Sequence, residues 1–265
     1  MTAASGMHDD QVIVFAAGSL RAAISELAQA FTETKAGHVG VTLGPSGLLR
    51  QRIARGEPAD LFIAADLRHP QALVDAGFAS RVVVLAGNGL CLLARPGIIR
   101  TGDDPLALLL DPQVRLGTST PGADPCGDYA WELFRKAESC RPGSFTSLAG
   151  KARHLSGGHD SPVPPAGRDP YAWLLTDGRA DVLLTYRTNA RLAQKDTPNL
   201  EAVALPDALA VGAVYGMALL RPEKAAARAF ADFLRSSESQ RYLRAHGFTP
   251  AGDLPGDPAP NRSPA

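Results

Sequence analysis

Two short segments of this chain each place a serine at the start of a helical pattern. The segments are Ala16-Ala17-Gly18-Ser19-Leu20 and Gly44-Pro45-Ser46-Gly47-Leu48, and each follows an apolar, strand-like run. The first turn of a helix has N–H groups without intrahelical partners and carries the positive end of the helix dipole. Two such ends side by side would form a cradle for a small anion. The competing explanation for both serines is a plain N-cap role, which serine commonly fills.

Two later segments offer donors of the same kind. The stretch from Ser119 to Tyr129, which includes Cys126, lies between a strand-like run and a helix start, and its small turn-forming residues point backbone N–H groups outward. Tyr186 stands at the carboxyl end of a predicted strand, the edge at which open α/β sheets bind ligands. Its hydroxyl is a rigid donor, and a buried core tyrosine is the competing explanation.

Nucleophilic and metal chemistry need partners that the sequence does not supply. A thiol at a helix start, such as Cys126, can have a lowered pKa and act as a nucleophile, but no base lies near it in sequence. The three cysteines and six histidines lack metal-binding spacing, so we expect no metal site. The sequence alone does not decide whether Cys126 and Cys140 form a disulfide. Asp60 and Asp66 bracket a strand and are expected to be structural caps rather than metal ligands.

Composition restricts the class of partner. The chain has 265 residues, of which 45% are hydrophobic, enough for one large domain or two moderate ones. Acidic and basic residues balance at 27 each without basic, aromatic-rich runs, which argues against nucleic acid and membrane surfaces. No apolar stretch is long enough to span a bilayer. Residues 1–10 lack the features of a secretory signal, so either a signal has been removed or the protein is cytoplasmic.

The elements that must position these residues alternate between strand and helix. Three strand-like runs, each followed by a helical pattern, are Gln11–Ala17, Val39–Leu43 and Asp60–Ala65. This alternation predicts a parallel or mixed sheet with helices on both faces. Two successive strands follow, Val82–Ala86 and Leu90–Ala94, and the missing helix between them indicates passage into a second lobe.

The same alternation resumes in the rest of the chain. Predicted strands are Val114–Thr118 and Asp181–Tyr186, and predicted helices are Tyr129–Glu138, Tyr171–Asp177, Lys224–Arg235 and Glu238–His246. The Gly-, Pro- and Ser-rich stretch Ser156–Asp169 is predicted to be a long surface loop.

Four motifs occur in an order that identifies a family. They are Phe15-Ala-Ala-Gly-Ser-Leu20, Gly44-Pro-Ser-Gly-Leu48, Gly56-Glu-Pro-Ala-Asp-Leu-Phe-Ile-Ala-Ala-Asp66 and Gly178-Arg-Ala-Asp-Val-Leu-Leu-Thr-Tyr186. Across about residues 11–248 the chain resembles the molybdate-binding proteins of ABC transporters. The resemblance implies an α/β, two-lobed type II periplasmic-binding-protein fold with mixed sheets, helices on both faces and a ligand cleft between the lobes. We expect lobe I at 11–85 plus 210–250 and lobe II at 86–209, with 1–10 and 251–265 disordered.

The resemblance also implies a ligand and its donors. A molybdate- or tungstate-like oxyanion would be held by neutral hydrogen-bond donors, with no cofactor, no metal ligands and no covalent chemistry. Ser19 and Ser46 would each give a hydroxyl and a backbone N–H, and Tyr186 would give its hydroxyl. Cys126 matches a position that donates only its backbone N–H.

The last family donor falls where this sequence departs from the pattern. It is a backbone N–H near Arg168-Asp169-Pro170, but Pro170 has no N–H and Arg168 replaces an apolar residue of the family. Either Arg168 or Asp169 would then serve. A guanidinium at the ligand could also alter the ligand preference. A solvated loop arginine is the alternative.

The resemblance implies a membrane permease as partner, a periplasmic location and a monomer. Two readings of another kind stay open. A cytoplasmic sensor with the same two lobes would suit a chain without a signal, and a binding protein for another small anion or an organic acid is a further alternative. A hydrolase using Cys126 or Ser19 is the enzyme alternative.

Overall fold

The computed structural model describes residues 11–34, 37–100 and 102–254. Its strands are β1 Gln11–Ala17, β2 His38–Gly44, β3 Leu61–Ala64, β4 Val82–Ala94, β5 Leu116–Ser119, β6 Arg153–Ser156, β7 Val182–Tyr186, β8 Glu201–Ala204, β9 Gly212–Leu219 and β10 Thr249–Pro250. Its α-helices are α1 Arg21–Thr34, α2 Ser46–Ala54, α3 Arg68–Asp75, α4 Pro105–Leu110, α5 Pro125–Cys140, α6 Ser144–Lys151, α7 Pro170–Thr176, α8 Arg187–Asp196, α9 Ala225–Arg235 and α10 Ser237–Ala245. Short 3₁₀ turns cover Gly18–Leu20 and Ala251–Asp253.

The chain forms two compact units. The first takes the residues up to Gly44, residues 49–88 and those from Val214 onward, and the second takes 45–48 and 89–213. The described helices are all too short or too polar to cross a lipid bilayer. The mixed α/β class predicted from the alternation of strands and helices is confirmed.

The first unit is built on the buried, β-branched strand β1. This strand pairs in parallel with β2 on one side and β3 on the other, and β9 runs antiparallel to β3. Helices α1 and α9 cover one face of the sheet, where the ring of Phe31 packs against those of Phe230 and Phe233. A second apolar cluster includes Phe15, Leu49 and other buried residues.

Parallel pairing brings the ends of β1 and β2 to one edge. Ala17 and Gly44 are register partners, and both segments that carry the candidate serines begin there. A Cβ on Gly18 would lie 4.0 Å from the carbonyl oxygen of Gly44. The register therefore places the start of the Ser19 segment beside the start of the Ser46 segment.

The second unit is built on β4 and β7. Strand β4 pairs antiparallel with β7 on one side and β8 on the other, and β7 pairs in parallel with β5, which pairs with β6. Helices α7 and α8 pack an apolar cluster onto this sheet that includes Leu93, Leu175 and Leu183. The parallel pair β5 and β7 directs Ser119 and Tyr186 to the same sheet edge.

The prediction of two strands between Val82 and Ala94 is wrong, because the structure has one continuous strand there. Gly87 and Gly89 interrupt the apolar run and so imitate a break in the sequence pattern. Packing explains the first of them: a Cβ on Gly87 would lie 2.4 Å from Leu254 Cδ2. The division between the units falls within this strand, after Asn88.

Other differences concern element boundaries and elements without a clear apolar period. Helix α5 starts at Pro125 rather than Tyr129 because Asp124 caps it. The sequence pattern did not predict α4, α6, α8, β6, β8, β9 or β10. The Ser156–Asp169 stretch contains no further helix or strand after Ser156, as predicted.

The predicted disorder of residues 251–265 differs from the structure at its first residues. In the structure, Ala251–Asp253 form a 3₁₀ turn, held by a hydrogen bond from Ala251 N to Gln240 Oε1 at 3.2 Å. An ion pair between Arg244 and Asp253 at 2.6 Å adds to it. Residues 1–10 and 255–265 lie outside the described part of the chain.

A buried carboxylate fixes the start of β5 and β7. Asp181 accepts hydrogen bonds from Arg115 Nε at 2.9 Å, Arg115 Nη2 at 2.7 Å and the Arg115 backbone N–H at 2.9 Å, and it pairs with Arg95. These contacts, those to Arg115 foremost, hold the pKa of the Asp181 carboxyl well below its usual range. The charged form is therefore the one that the fold stabilises.

We expect Asp181→Asn to lower the free energy of unfolding at neutral pH by about 2–3 kcal/mol, because it removes the charge that both arginines face. Since the folded pKa lies below the unfolded one, this contribution is complete above the ordinary aspartate pKa of about 3.9 and is lost as pH falls toward the folded value. Urea unfolding at neutral and acidic pH measures both effects. The matched control is Asp177→Asn, whose ion pair with Arg179 is more exposed. Equal losses in the two variants would contradict this account.

Candidate functional site

Ser46 and the loop before α5 meet in the second unit. The backbone N–H of Gly47 donates to the carbonyl oxygen of Ala123 at 3.0 Å. A Cβ on Gly47 would lie 2.7 Å from the carbonyl oxygens of Ala123 and Gly122, so only glycine fits this approach. Ser46 is buried at 1% exposure beside this contact. The structure thus brings one predicted serine to the segment that leads into α5.

The N-terminus of α5 is capped by a carboxylate of the protein itself. Asp124 Oδ1 accepts the Cys126 N–H at 3.3 Å, and Ser119 Oγ donates to Asp124 Oδ2 at 2.6 Å. Gly157 has φ +73° and lies so close that a Cβ there would be 2.5 Å from Asp124 Cβ. The N–H that the resemblance assigns to a ligand therefore has an internal acceptor, and a negative charge occupies this helix start.

The Cys126 thiol is buried beside this cap. The Thr185 side chain and the Tyr186 backbone form hydrogen bonds with it, and only 1% of Cys126 is exposed. Burial, with smaller effects from Asp124 and Cys91, raises the pKa of the Cys126 thiol well above its ordinary value. An activated nucleophile needs a lowered thiol pKa, and burial shifts the pKa of Cys126 in the opposite direction. A Cys126–Cys140 disulfide is also absent from the structure, since both thiols are free.

Tyr186 ends β7 and is 2% exposed. Its ring lies edge-on to that of Tyr129, with 6.4 Å between centroids. Leu90 of β4 is its register partner. Because the Tyr186 backbone also bonds to the Cys126 thiol, the second unit gathers Ser46, Cys126 and Tyr186 around the start of α5.

Arg168 is held by a different partner. Its guanidinium donates to the Asp196 carboxylate at 3.1–3.3 Å, and its side chain is 39% exposed. The ion pair, with Arg168 as the main cause, lowers the pKa of Asp196. The backbone N–H of Arg168 donates to the Pro165 carbonyl oxygen at 3.2 Å. These contacts match the alternative of a loop arginine better than a guanidinium committed to a ligand.

Asp169 acts as the N-cap of α7. Its Oδ1 accepts the N–H groups of Tyr171 at 2.9 Å and Ala172 at 3.0 Å. Its own N–H donates to Asp196 Oδ1 at 3.4 Å. The N-terminus of α7, like that of α5, is thus satisfied by an aspartate.

Ser19 lies in the first unit, within the 3₁₀ turn before α1. Its hydroxyl forms a 2.6 Å hydrogen bond with the hydroxyl of Tyr215, and Asn88 Nδ2 donates to the same Tyr215 oxygen at 3.3 Å. Ser19 is 9% exposed, Asn88 5% and Tyr215 0%. Sequence reasoning missed the two partners. The sequence signal for each partner is a polar side chain inside an otherwise apolar strand, Asn88 in β4 and Tyr215 in β9.

The two aspartates that bracket β3 have structural partners. Asp60 Oδ2 accepts the Ile13 N–H at 2.7 Å and binds Lys224 Nζ at 2.9 Å. Asp66 Oδ1 accepts the His69 N–H at 3.0 Å in the first turn of α3. Both therefore cap backbone groups, as predicted. Over the described ranges, no three His, Cys, Asp or Glu side chains group closely enough to hold a metal ion.

Solved structures define the fold class. The sulfate-binding protein SubI of Mycobacterium tuberculosis aligns with a TM-score of 0.75 at 19% identity, over 91% of this chain and 87% of that one. The periplasmic molybdate-binding protein of Azotobacter vinelandii aligns with a TM-score of 0.71 at 19% identity, over 90% and 98%. Iron-bound HitA of Pseudomonas aeruginosa aligns with a TM-score of 0.67 at 18% identity, over 96% and 90%. The fold is that of a type II periplasmic binding protein.

Sequence relatives define the family. A family described as "Bacterial extracellular solute-binding protein" matches residues 12–249. The chain belongs to that family. An uncharacterised protein of Pasteurella multocida is 37% identical over 239 residues, 90% of this chain and 98% of that one. The molybdate-binding protein ModA of Escherichia coli is 28% identical over 256 residues, 91% and 90% of the two chains. The resemblance found in the sequence is confirmed, and members of this family are solute-binding proteins rather than enzymes.

Thiol reactivity tests the environment of Cys126. Burial raises the pKa of Cys91 to about 12 and that of Cys126 well above normal, whereas Cys140 is exposed. We expect a disulfide reagent at mildly alkaline pH to modify one cysteine, Cys140, in the folded protein and all three after unfolding. Loss of the fast reaction in Cys140→Ser is the control. Fast labelling of Cys126 in the native protein would restore the nucleophile hypothesis.

Proposed function

We propose that this protein captures a small tetrahedral oxyanion, molybdate or tungstate, and delivers it to the permease of an ABC transporter outside the cytoplasm. The family and the names of the relatives support the transport role. The observation that carries the ligand class is the grouping of Ser46, Cys126 and Tyr186 around one helix N-terminus in the second unit. In this proposal Ser19 of the first unit is a further donor to the anion.

The chemistry of these groups suits an anion that is bound without a counter-cation. Hydroxyl and backbone N–H donors are neutral, and a hydrogen bond to a charged partner contributes about 1.5–3 kcal/mol. The positive end of the α5 dipole adds to this attraction. Donors at fixed spacing favour an anion whose oxygens reach all of them and leave a donor unpaired for an anion of another size.

Calorimetric titration tests the ligand class. We expect molybdate and tungstate to bind one to one, and sulfate to bind more weakly. Ser46→Ala should weaken molybdate binding roughly ten- to hundredfold, because it removes one hydroxyl donor to a charged ligand. Ser139→Ala, at the exposed far end of α5, is the matched control and should bind as the wild type does. Tight binding of sulfate alone, or an unchanged Ser46→Ala, would contradict the proposal.

Asp124 sets the charge at this site. Its carboxylate occupies the Cys126 N–H and repels a dianion that approaches the same helix end. Asparagine caps helices about as well as aspartate, so the charge can be removed while the cap is kept.

We therefore expect Asp124→Asn to raise oxyanion affinity by roughly tenfold at low ionic strength, with a smaller gain in high salt because added ions screen the repulsion. Calorimetry at two salt concentrations measures this. Glu132→Gln is the matched control, since it makes the same charge change at an exposed position of α5. A loss of affinity in Asp124→Asn, or an equal gain in Glu132→Gln, would show that Asp124 does not act on the ligand through its charge.

A further inference from the structure

The buried hydroxyl of Tyr215 links two other polar side chains of the first unit. Ser19 Oγ lies 2.6 Å from Tyr215 Oη on one side, and Asn88 Nδ2 lies 3.3 Å from it on the other. Tyr215 is on β9, Asn88 on β4, and Ser19 in the turn after β1. The Tyr215 ring packs edge-on against Phe248 at 5.3 Å between centroids. Three separate elements are thus joined at one oxygen.

The direction of these hydrogen bonds decides what Ser19 can offer. The Asn88 amide nitrogen can only donate, so Tyr215 Oη accepts from it. A tyrosine hydroxyl that accepts one bond still has one hydrogen to give, and Ser19 Oγ lies at donating distance. If Tyr215 gives that hydrogen to Ser19, the serine's own hydrogen is left for a ligand. If Ser19 donates to Tyr215 instead, the serine presents lone pairs, which repel an anion.

We propose that Asn88 and Tyr215 are positioning residues: a relay from Asn88 through Tyr215 to Ser19 turns the serine hydroxyl into an oriented hydrogen-bond donor for the oxyanion. The inference rests on the proposed function, because it needs Ser19 to touch the ligand. A hydroxyl that already accepts a hydrogen bond is polarised and donates more strongly. The relay thus selects against uncharged or cationic ligands, which gain less from a strengthened donor.

The sign of one substitution separates the two directions. Tyr215→Phe keeps the ring that packs on Phe248 and removes only the hydroxyl. Under the relay, molybdate affinity should fall roughly three- to tenfold, because Ser19 loses its orientation and polarisation. Under the reverse direction it should rise, because the Ser19 hydrogen is released. Tyr242→Phe on α10 is the matched control and should leave affinity unchanged.

A double-variant cycle shows whether Tyr215 acts through Ser19. In the Ser19→Ala background, Tyr215→Phe should have no further effect on molybdate binding, whereas a general packing role would lower affinity or thermal stability in both backgrounds. If Tyr215→Phe does not fold, Asn88→Ala serves instead, with a smaller fall in the same direction. A rise, no change, or an equal fall in both backgrounds overturns the relay.

The relay and the proposed function fail in different ways. If the wild type binds molybdate but Ser19→Ala binds equally well, the relay is overturned while oxyanion capture stands on the second unit's donors. If the wild type binds molybdate, tungstate and sulfate not at all, the proposed function fails and the relay with it.

Discussion

The backbone N–H groups at the start of α5 govern the candidate site, because buried donors without acceptors destabilise a fold. Asp124 meets that demand through its side chain, and Ser119 and Gly157 hold the carboxylate in place. The backbone N–H groups that could attract an anion to this helix start therefore already face the Asp124 carboxylate. Any anion that uses this helix end must compete with Asp124 or share the donors with it.

A set of ion pairs holds the opposite ends of the two strands that lead to this site. Asp181 fastens the first residues of β5 and β7 to Arg115 and Arg95. The carboxyl ends of those strands then carry Ser119 and Tyr186 in fixed register. The ion pairs of Asp181 and the residues at the start of α5 thus lie at opposite ends of the same two strands. In the first unit, the register of Ala17 with Gly44 fixes where the two serine-bearing segments begin.

The sequence predicted the fold class because apolar periodicity and motif order both depend on local spacing. The family resemblance predicted one set of ligand-binding residues, Ser19, Ser46, Cys126, Arg168 and Tyr186, and their ligand role stays a prediction. Sequence reasoning missed the acceptance of the Cys126 N–H by Asp124, although an aspartate directly before a proline is a common signal of a capped helix start. The partners of Ser19 come from strands distant in the chain, so no local pattern reveals them. The continuous strand β4 was wrongly predicted as two strands, because Gly87 looks like a turn residue although it allows close packing against Leu254.

The most direct test of oxyanion capture is a crystal structure grown with tungstate, located by the anomalous scattering of tungsten. The account predicts one strong site, with tungstate oxygens within hydrogen-bond distance of the hydroxyls of Ser46 and Tyr186 at the start of α5. Tungstate bound only at other, surface-exposed positions, or no bound tungstate at all, would contradict the account.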